Sequence, residues 1–188
     1  MSRDTFSQNG KQVPVARLAA GQLPNLPGLG GSIAGVGGGF AMIIVAALLS
    51  TAMGQDVWRE PREIAIPIFG AAAQSGWAPI VVGTVVHFII AALFGAIFGI
   101  VSRRLLGLPS DYGAQVLAGL IYGLALWVLA YFIVLPIVNP ALLDTYAPSF
   151  LIQHLVYGVV TGLIYTQLRP APYAHTEVDR PMPAMAKR

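Results

Sequence analysis

Four long stretches of the chain carry no charged residue, at about 31–53, 79–101, 114–136 and 150–168. Each is continuously apolar rather than alternating, the pattern of helices in an apolar medium and not of barrel strands. A helix rises about 1.5 Å per residue, so about 20 residues cross a hydrocarbon layer. Backbone hydrogen bonds must be closed within each spanning segment, which helices do. The pattern therefore predicts an all-α, polytopic membrane protein, a four-helix transmembrane bundle. Residues 1–29 form a polar tail, 30–169 the four-span domain and 170–188 a Pro-rich tail too polar to bury a core. No apolar segment of signal-peptide type precedes the first span. A short amphipathic turn is expected at Val13–Leu18.

The loops differ. Residues 64–76 are too apolar for a free loop and too short to span, so they are expected at the membrane interface or against a partner. Trp58 and Trp77 are expected at headgroup depth. The loop at 137–149, with Asn139-Pro140 and Tyr146-Ala147-Pro148, reads as a structured turn.

Composition sharpens this picture. Of 188 residues, 56% are apolar, only 10% are charged and none is Cys, with a mean hydropathy of +0.70. So few charges cannot coat a soluble enzyme, and without Cys there is no disulfide framework or thiolate metal site. The 11 Lys and Arg against 8 Asp and Glu do not suggest nucleic acid, because no basic run exceeds two residues. They report topology. Arg3, Lys11, Arg17, Arg103, Arg104, Arg169, Arg180, Lys187 and Arg188 fall on one side, and only Arg59 and Arg62 on the other. The positive-inside rule then places both termini in the cytoplasm. Arg103, Arg104 and Arg169 close their spans as anchors.

Small residues recur at steps of four. Gly31, Gly35 and Gly39 mark span one, Ala91, Gly95 and Gly99 span two, Gly119 and Gly123 span three, and Gly158 and Gly162 span four. Such stripes let helices approach closely in lipid, where there is no hydrophobic drive for association. They serve internal packing, self-association or docking of another membrane subunit. Gly37-Gly38-Gly39 implies either very tight packing or a helix that starts nearer Phe40, because Gly costs helix stability. Spans two and four share a His-xxx-small-xxx-Gly pattern, 67 residues apart from His87 to His154. That spacing describes two tandem hairpins in one orientation, a parallel repeat.

His87 and His154 are the ionisable candidates inside the spans. One reading is structural, with each imidazole bonded to a neighbouring helix. A second is haem b held between the two, although their depths differ by about 6 Å at 1.5 Å per residue. A third is a proton- or quinone-related site with Tyr157 and Gln153. Two His without carboxylate or Cys do not make a zinc site, and His175 lies in the polar tail. No span holds Asp, Glu, Lys or Arg, which argues against an ion-coupled transporter. Known catalytic motifs are absent, and no enzyme activity is expected.

The stretch from His154 to Tyr165, with the Gly-rich start of span one at Gly31-Ser32-Ile33-Ala34-Gly35, resembles the YagU-like group of small bacterial four-helix inner-membrane proteins. That group has no assigned function, so the resemblance implies topology and a bacterial plasma membrane, and no chemistry. The leading expectation is a non-catalytic accessory or structural subunit of a larger membrane complex, respiratory or photosynthetic, without a cofactor. The partners expected are the lipid bilayer and other membrane subunits or further copies of the chain. A b-type haem carrier using His87 and His154 and a small channel or transporter stay open as alternatives.

Overall fold

The computed structural model describes residues 7–8, 11–12, 26–109, 111–140, 143 and 147–168. Val13–Leu18, Arg169, His175 and both tails beyond a two-residue antiparallel ladder, Ser7–Gln8 with Lys11–Gln12, lie outside that description. Helix α1 runs Pro27–Ala52, α2 Arg59–Phe69, α3 Ala78–Ile100, α4 Tyr112–Leu129, α5 Leu135–Val138 and α6 Ala147–Leu168. Two π-helical turns extend the long helices. Val101–Leu105 continues α3, and Ala130–Val134 joins α4 to α5. Four of these units are long and apolar enough to cross a membrane: Pro27–Ala52, Ala78–Leu105, Tyr112–Val138 and Ala147–Leu168.

The termini of the spans follow local chemistry. Pro stands in the first turn of α1 and of α3, where a missing N–H costs nothing. Asp111 caps α4 by accepting from the Ala114 amide at 2.8 Å. Helix α1 begins well before Phe40, so the Gly37-Gly38-Gly39 run is helical. Tight packing explains it, because these glycines serve two neighbours at once. Gly39 faces Ala91 and His87 of α3, Gly38 faces Tyr157 and Thr161 of α6, and Gly37 meets Ile164 of α6.

The two hairpins are built alike. In the first, a Cβ on Gly31 would strike the Gly95 carbonyl, and one on Gly35 would strike the Ala91 carbonyl and Gly95. In the second, a Cβ on Gly119 would strike Gly158, one on Gly158 would strike Gly119, and one on Gly162 would strike Gln115. Residues 84 apart on α1 and α4, such as Gly39 and Gly123, thus meet residues 67 apart on α3 and α6, such as His87 and His154. All the glycine stripes are used inside the bundle.

The contacts between hairpins are less equal. Helix α1 lies against α6 through Gly38 and Thr161. The equivalent contact between α4 and α3 joins Tyr122 to Phe94, with the Tyr122 hydroxyl donating to the Phe94 carbonyl at 2.7 Å. Two aromatic side chains stand where the other seam has a glycine and a threonine. The α3–α4 seam is therefore held apart. Towards the tail side, Phe98 fills it with ring contacts to Tyr122 at 5.4 Å and Tyr165 at 5.7 Å.

Residues 59–74 are helical and lie against α3. Helix α2 and a 3₁₀ turn over Gly70–Gln74 fold back on the bundle, with Ala65 and Ala73 fully buried. Pro61 presses its backbone on Gly83 of α3, where no Cβ would fit. Trp58 and Trp77 meet edge to face, with ring centroids 6.0 Å apart.

Candidate functional site

Glycine packing draws the helices together on the tail side and stops at Gly39 and Gly123. Beyond them, on the side of α2, larger residues such as Met42 on α1 and Leu126 on α4 stand between the helices and line open space. Two cavities occupy the widened end. The first, about 440 Å³, lies between α1, α2, α3 and the start of α6. The second, about 400 Å³, lies in the α3–α4 seam. Small-molecule sites usually span roughly 300–1,000 Å³. Met42 and His87 line both cavities and form the partition between them.

The first cavity has apolar walls, including Ile43, Ala46 and Ala47 of α1 and Ile64 of α2. Polar side chains line it from all four elements: Thr51 on α1, Glu60 on α2, Thr84 and His87 on α3, and Gln153 on α6. Gln153 is fully buried. Its amide donates to Glu60 Oε1 at 2.7 Å and to Ser149 Oγ at 3.3 Å. With the amide oriented by those two acceptors, Oε1 is buried without a partner. Burial pushes the Glu60 carboxyl above the usual carboxylate range; the bond from Gln153 opposes this, nearby Glu63 adds to it and Arg59 opposes it. The two arginines of α2 are engaged, Arg59 with Glu63 at 2.5 Å and Arg62 with Asp56 at 2.5 Å. Asn139 fastens α2 from the other loop, donating to the Glu63 carbonyl at 2.6 Å.

The second cavity brings the two expected histidines together, since both His87 and His154 line it. His154 Nδ1 lies 2.8 Å from the Phe150 carbonyl within its own helix, leaving Nε2 uncommitted. His87 Nε2 lies 3.2 Å from the Gly39 carbonyl. The π turn at Ala130–Val134 forms part of the wall through Ala130 and Val134; such wide turns are frequent at functional sites. No group of three His, Cys, Asp or Glu is placed to hold a metal among the described residues.

Three tyrosines do work that spacing did not reveal. Tyr122, Tyr157 and Tyr165 donate to the carbonyls of Phe94, Ala91 and Gly99 at 2.7, 2.7 and 3.1 Å, all on α3. A phenol inside an apolar span must find an acceptor, so their need for partners was readable, though not their targets. The anchors divide. Trp58 and Trp77 are exposed beside α2, Arg104 is exposed, and Arg103 donates to the Leu108 carbonyl at 3.0 Å.

These features define a four-helix membrane protein with two lateral, largely apolar cavities near one end. The chain belongs to a family of unknown function, DUF6789, whose pattern matches residues 27–176. No curated protein and no solved structure matches it.

Proposed function

We propose that this protein is a non-catalytic membrane component that works by binding, and that it holds a lipid-soluble small molecule in the cavity between α1, α2, α3 and α6. The observation that carries this reading is the presence of Glu60, Thr84, His87 and Gln153 in the lining of an otherwise largely apolar space. Apolar walls with a few convergent polar groups are the usual make-up of a ligand site. A part in a larger membrane assembly remains compatible with it. That part draws less support from the glycine stripes, because they are used within the chain. Residence in a bacterial plasma membrane with cytoplasmic termini belongs to the same proposal, on the basic residue bias and the YagU-like pattern. The test is purification of the full chain in mild detergent, followed by organic extraction and mass spectrometry. A stoichiometric lipophilic molecule, lost when Ala46→Trp fills the cavity, is the expected result. A folded preparation carrying none, and taking up none when offered membrane lipid extract, would refute the proposal.

A second reading has its own observation. His87 and His154 share the second cavity, and His154 leaves Nε2 uncommitted, which suits a bis-His haem b. Against it, His87 Nε2 is turned towards the Gly39 carbonyl. A visible spectrum decides: a Soret band lost in both His87→Ala and His154→Ala would favour haem, and a colourless folded protein grown with haem supplied would remove it.

A further inference from the structure

We propose that the second cavity is a binding site of its own, independent of the first, for a neutral lipophile that donates one hydroxyl proton to His154 Nε2. That nitrogen combines three properties. It is unpartnered, because the hydrogen bond of the ring runs from Nδ1 to the Phe150 carbonyl at 2.8 Å. It carries a lone pair, because a ring nitrogen that faces a carbonyl must hold the proton. The other nitrogen of the neutral imidazole is then an acceptor. It is also reachable, since it keeps accessible surface, unlike the sealed Oε1 of Gln153. The imidazole lines the second cavity and not the first. His154 is only 9% exposed, so the space in front of Nε2 is the cavity and not bulk solvent.

The rest of the lining decides which head fits. Every polar side-chain proton in it is spent within the chain. His87 Nε2 donates to the Gly39 carbonyl at 3.2 Å, the Tyr157 hydroxyl to the Ala91 carbonyl at 2.7 Å, and His154 Nδ1 to Phe150. The other lining side chains are apolar. A ketone, ester or ether head finds no donor there, whereas an O–H finds Nε2. No Asp, Glu, Lys or Arg lines the space, so a charged head would lose its hydration without a counter-charge, at a large desolvation cost. The walls describe the remainder of the ligand. Ile90 and Leu93 of α3, with Leu129 and Val134 from the other side of the seam, line the cavity and are exposed on the outer surface of the spans. A tail can therefore leave between α3 and α4 into the bilayer while the head stays inside. Phe94 and Tyr157 add ring walls within a space of about 400 Å³, which suits a long-chain phenol or quinol.

The test uses the full chain with isotopically labelled histidine in lipid nanodiscs, and three probes with one tail: para-dodecylphenol, its methyl ether and dodecylbenzene. By native mass spectrometry the phenol should bind about tenfold more tightly than the ether or the hydrocarbon, the difference of one hydrogen bond. Only the phenol should shift the magnetic resonance signal of the unprotonated His154 Nε2. In His154→Phe the phenol should fall to the level of the ether while dodecylbenzene binds as before, which shows that the variant is folded. Leu129→Trp, which fills the cavity from its mouth, should likewise abolish the preference for the phenol. Ala46→Trp, which fills only the first cavity, should leave that preference intact. Equal binding of phenol and ether to the native chain, an unmoved Nε2 signal, or a preference lost in Ala46→Trp would each overturn the proposal. So would a Soret band lost in His154→Phe, because iron would then hold the lone pair. The binding role of the first cavity is decided separately, by the extraction described above, and survives any of these results.

Discussion

At the scale of single residues, the bundle is governed by where a Cβ cannot go. A Cβ on Gly35 or on Gly119 would collide with a carbonyl of the facing helix, and backbone cannot yield as a side-chain tip can. Gly35→Ala and Gly119→Ala should each destabilise the protein by about 1–3 kcal/mol, by similar amounts because the positions are equivalent in the two hairpins. Gly28→Ala is the control. Its Cβ would meet Ile100 only at 3.5 Å, so helix propensity should leave it neutral or more stable by up to about 1 kcal/mol. Unfolding in mixed micelles measures all three. Glu60 gives a pH signature. Its folded carboxyl holds its proton more tightly than the unfolded one, so its contribution is most favourable below the ordinary value of 4.5. That contribution is lost as pH rises through the raised folded value. The unfolding temperature should therefore decline across that window, and Glu60→Gln should flatten the decline.

At the scale of elements, the four spans were legible and α2 was not. A run of about 20 apolar residues without charge has one stable use in a bilayer, so the helices follow from composition alone. Their glycines were equally legible as packing faces, because small residues at steps of four have few other uses. Residues 64–76 gave an ambiguous signal. An apolar segment in a loop suits a lipid interface, a partner or its own bundle, and hydropathy does not distinguish these. What fastens the start of α2 ahead of it is a pair of polar contacts reaching far along the chain, Asn139 to the Glu63 carbonyl and Gln153 to Glu60. Nothing local to Asn139 or Gln153 names those partners. The cavity was invisible for a related reason: it is defined by atoms that fail to meet. Asn139→Ala should release α2 at a cost of about 1–3 kcal/mol for the buried bond. Hydrogen exchange should then rise in residues 59–69 and stay unchanged in α4. Equal exchange in the two proteins would show that the contact holds nothing.

At the scale of the whole molecule, orientation and the repeat carry the consequences. Ser102 and Ser149 lie in the end turns of two spans and are buried, at 1% and 3% exposure, so they are poor sites for labelling. Gln55 and Leu106 are exposed at opposite ends. In intact cells, Gln55→Cys should react with an impermeant thiol reagent, and Leu106→Cys should react only after permeabilisation. The reverse pattern would invert the proposed topology. The histidines were legible as candidates, yet their shared cavity depends on Tyr122 and Phe94 wedging one seam open, an asymmetry between repeats that only three dimensions reveal.

The glycine-to-glycine contacts close within each hairpin, and the chain passes from one hairpin to the other only through the short link after Leu105. Each half therefore has the makings of an independent inserting unit, and covalent continuity between them is a matter of concentration rather than of structure. Two polypeptides divided between Gly107 and Asp111 should find each other in the bilayer as a heterodimer. Each would present a tyrosine or glycine seam to the other.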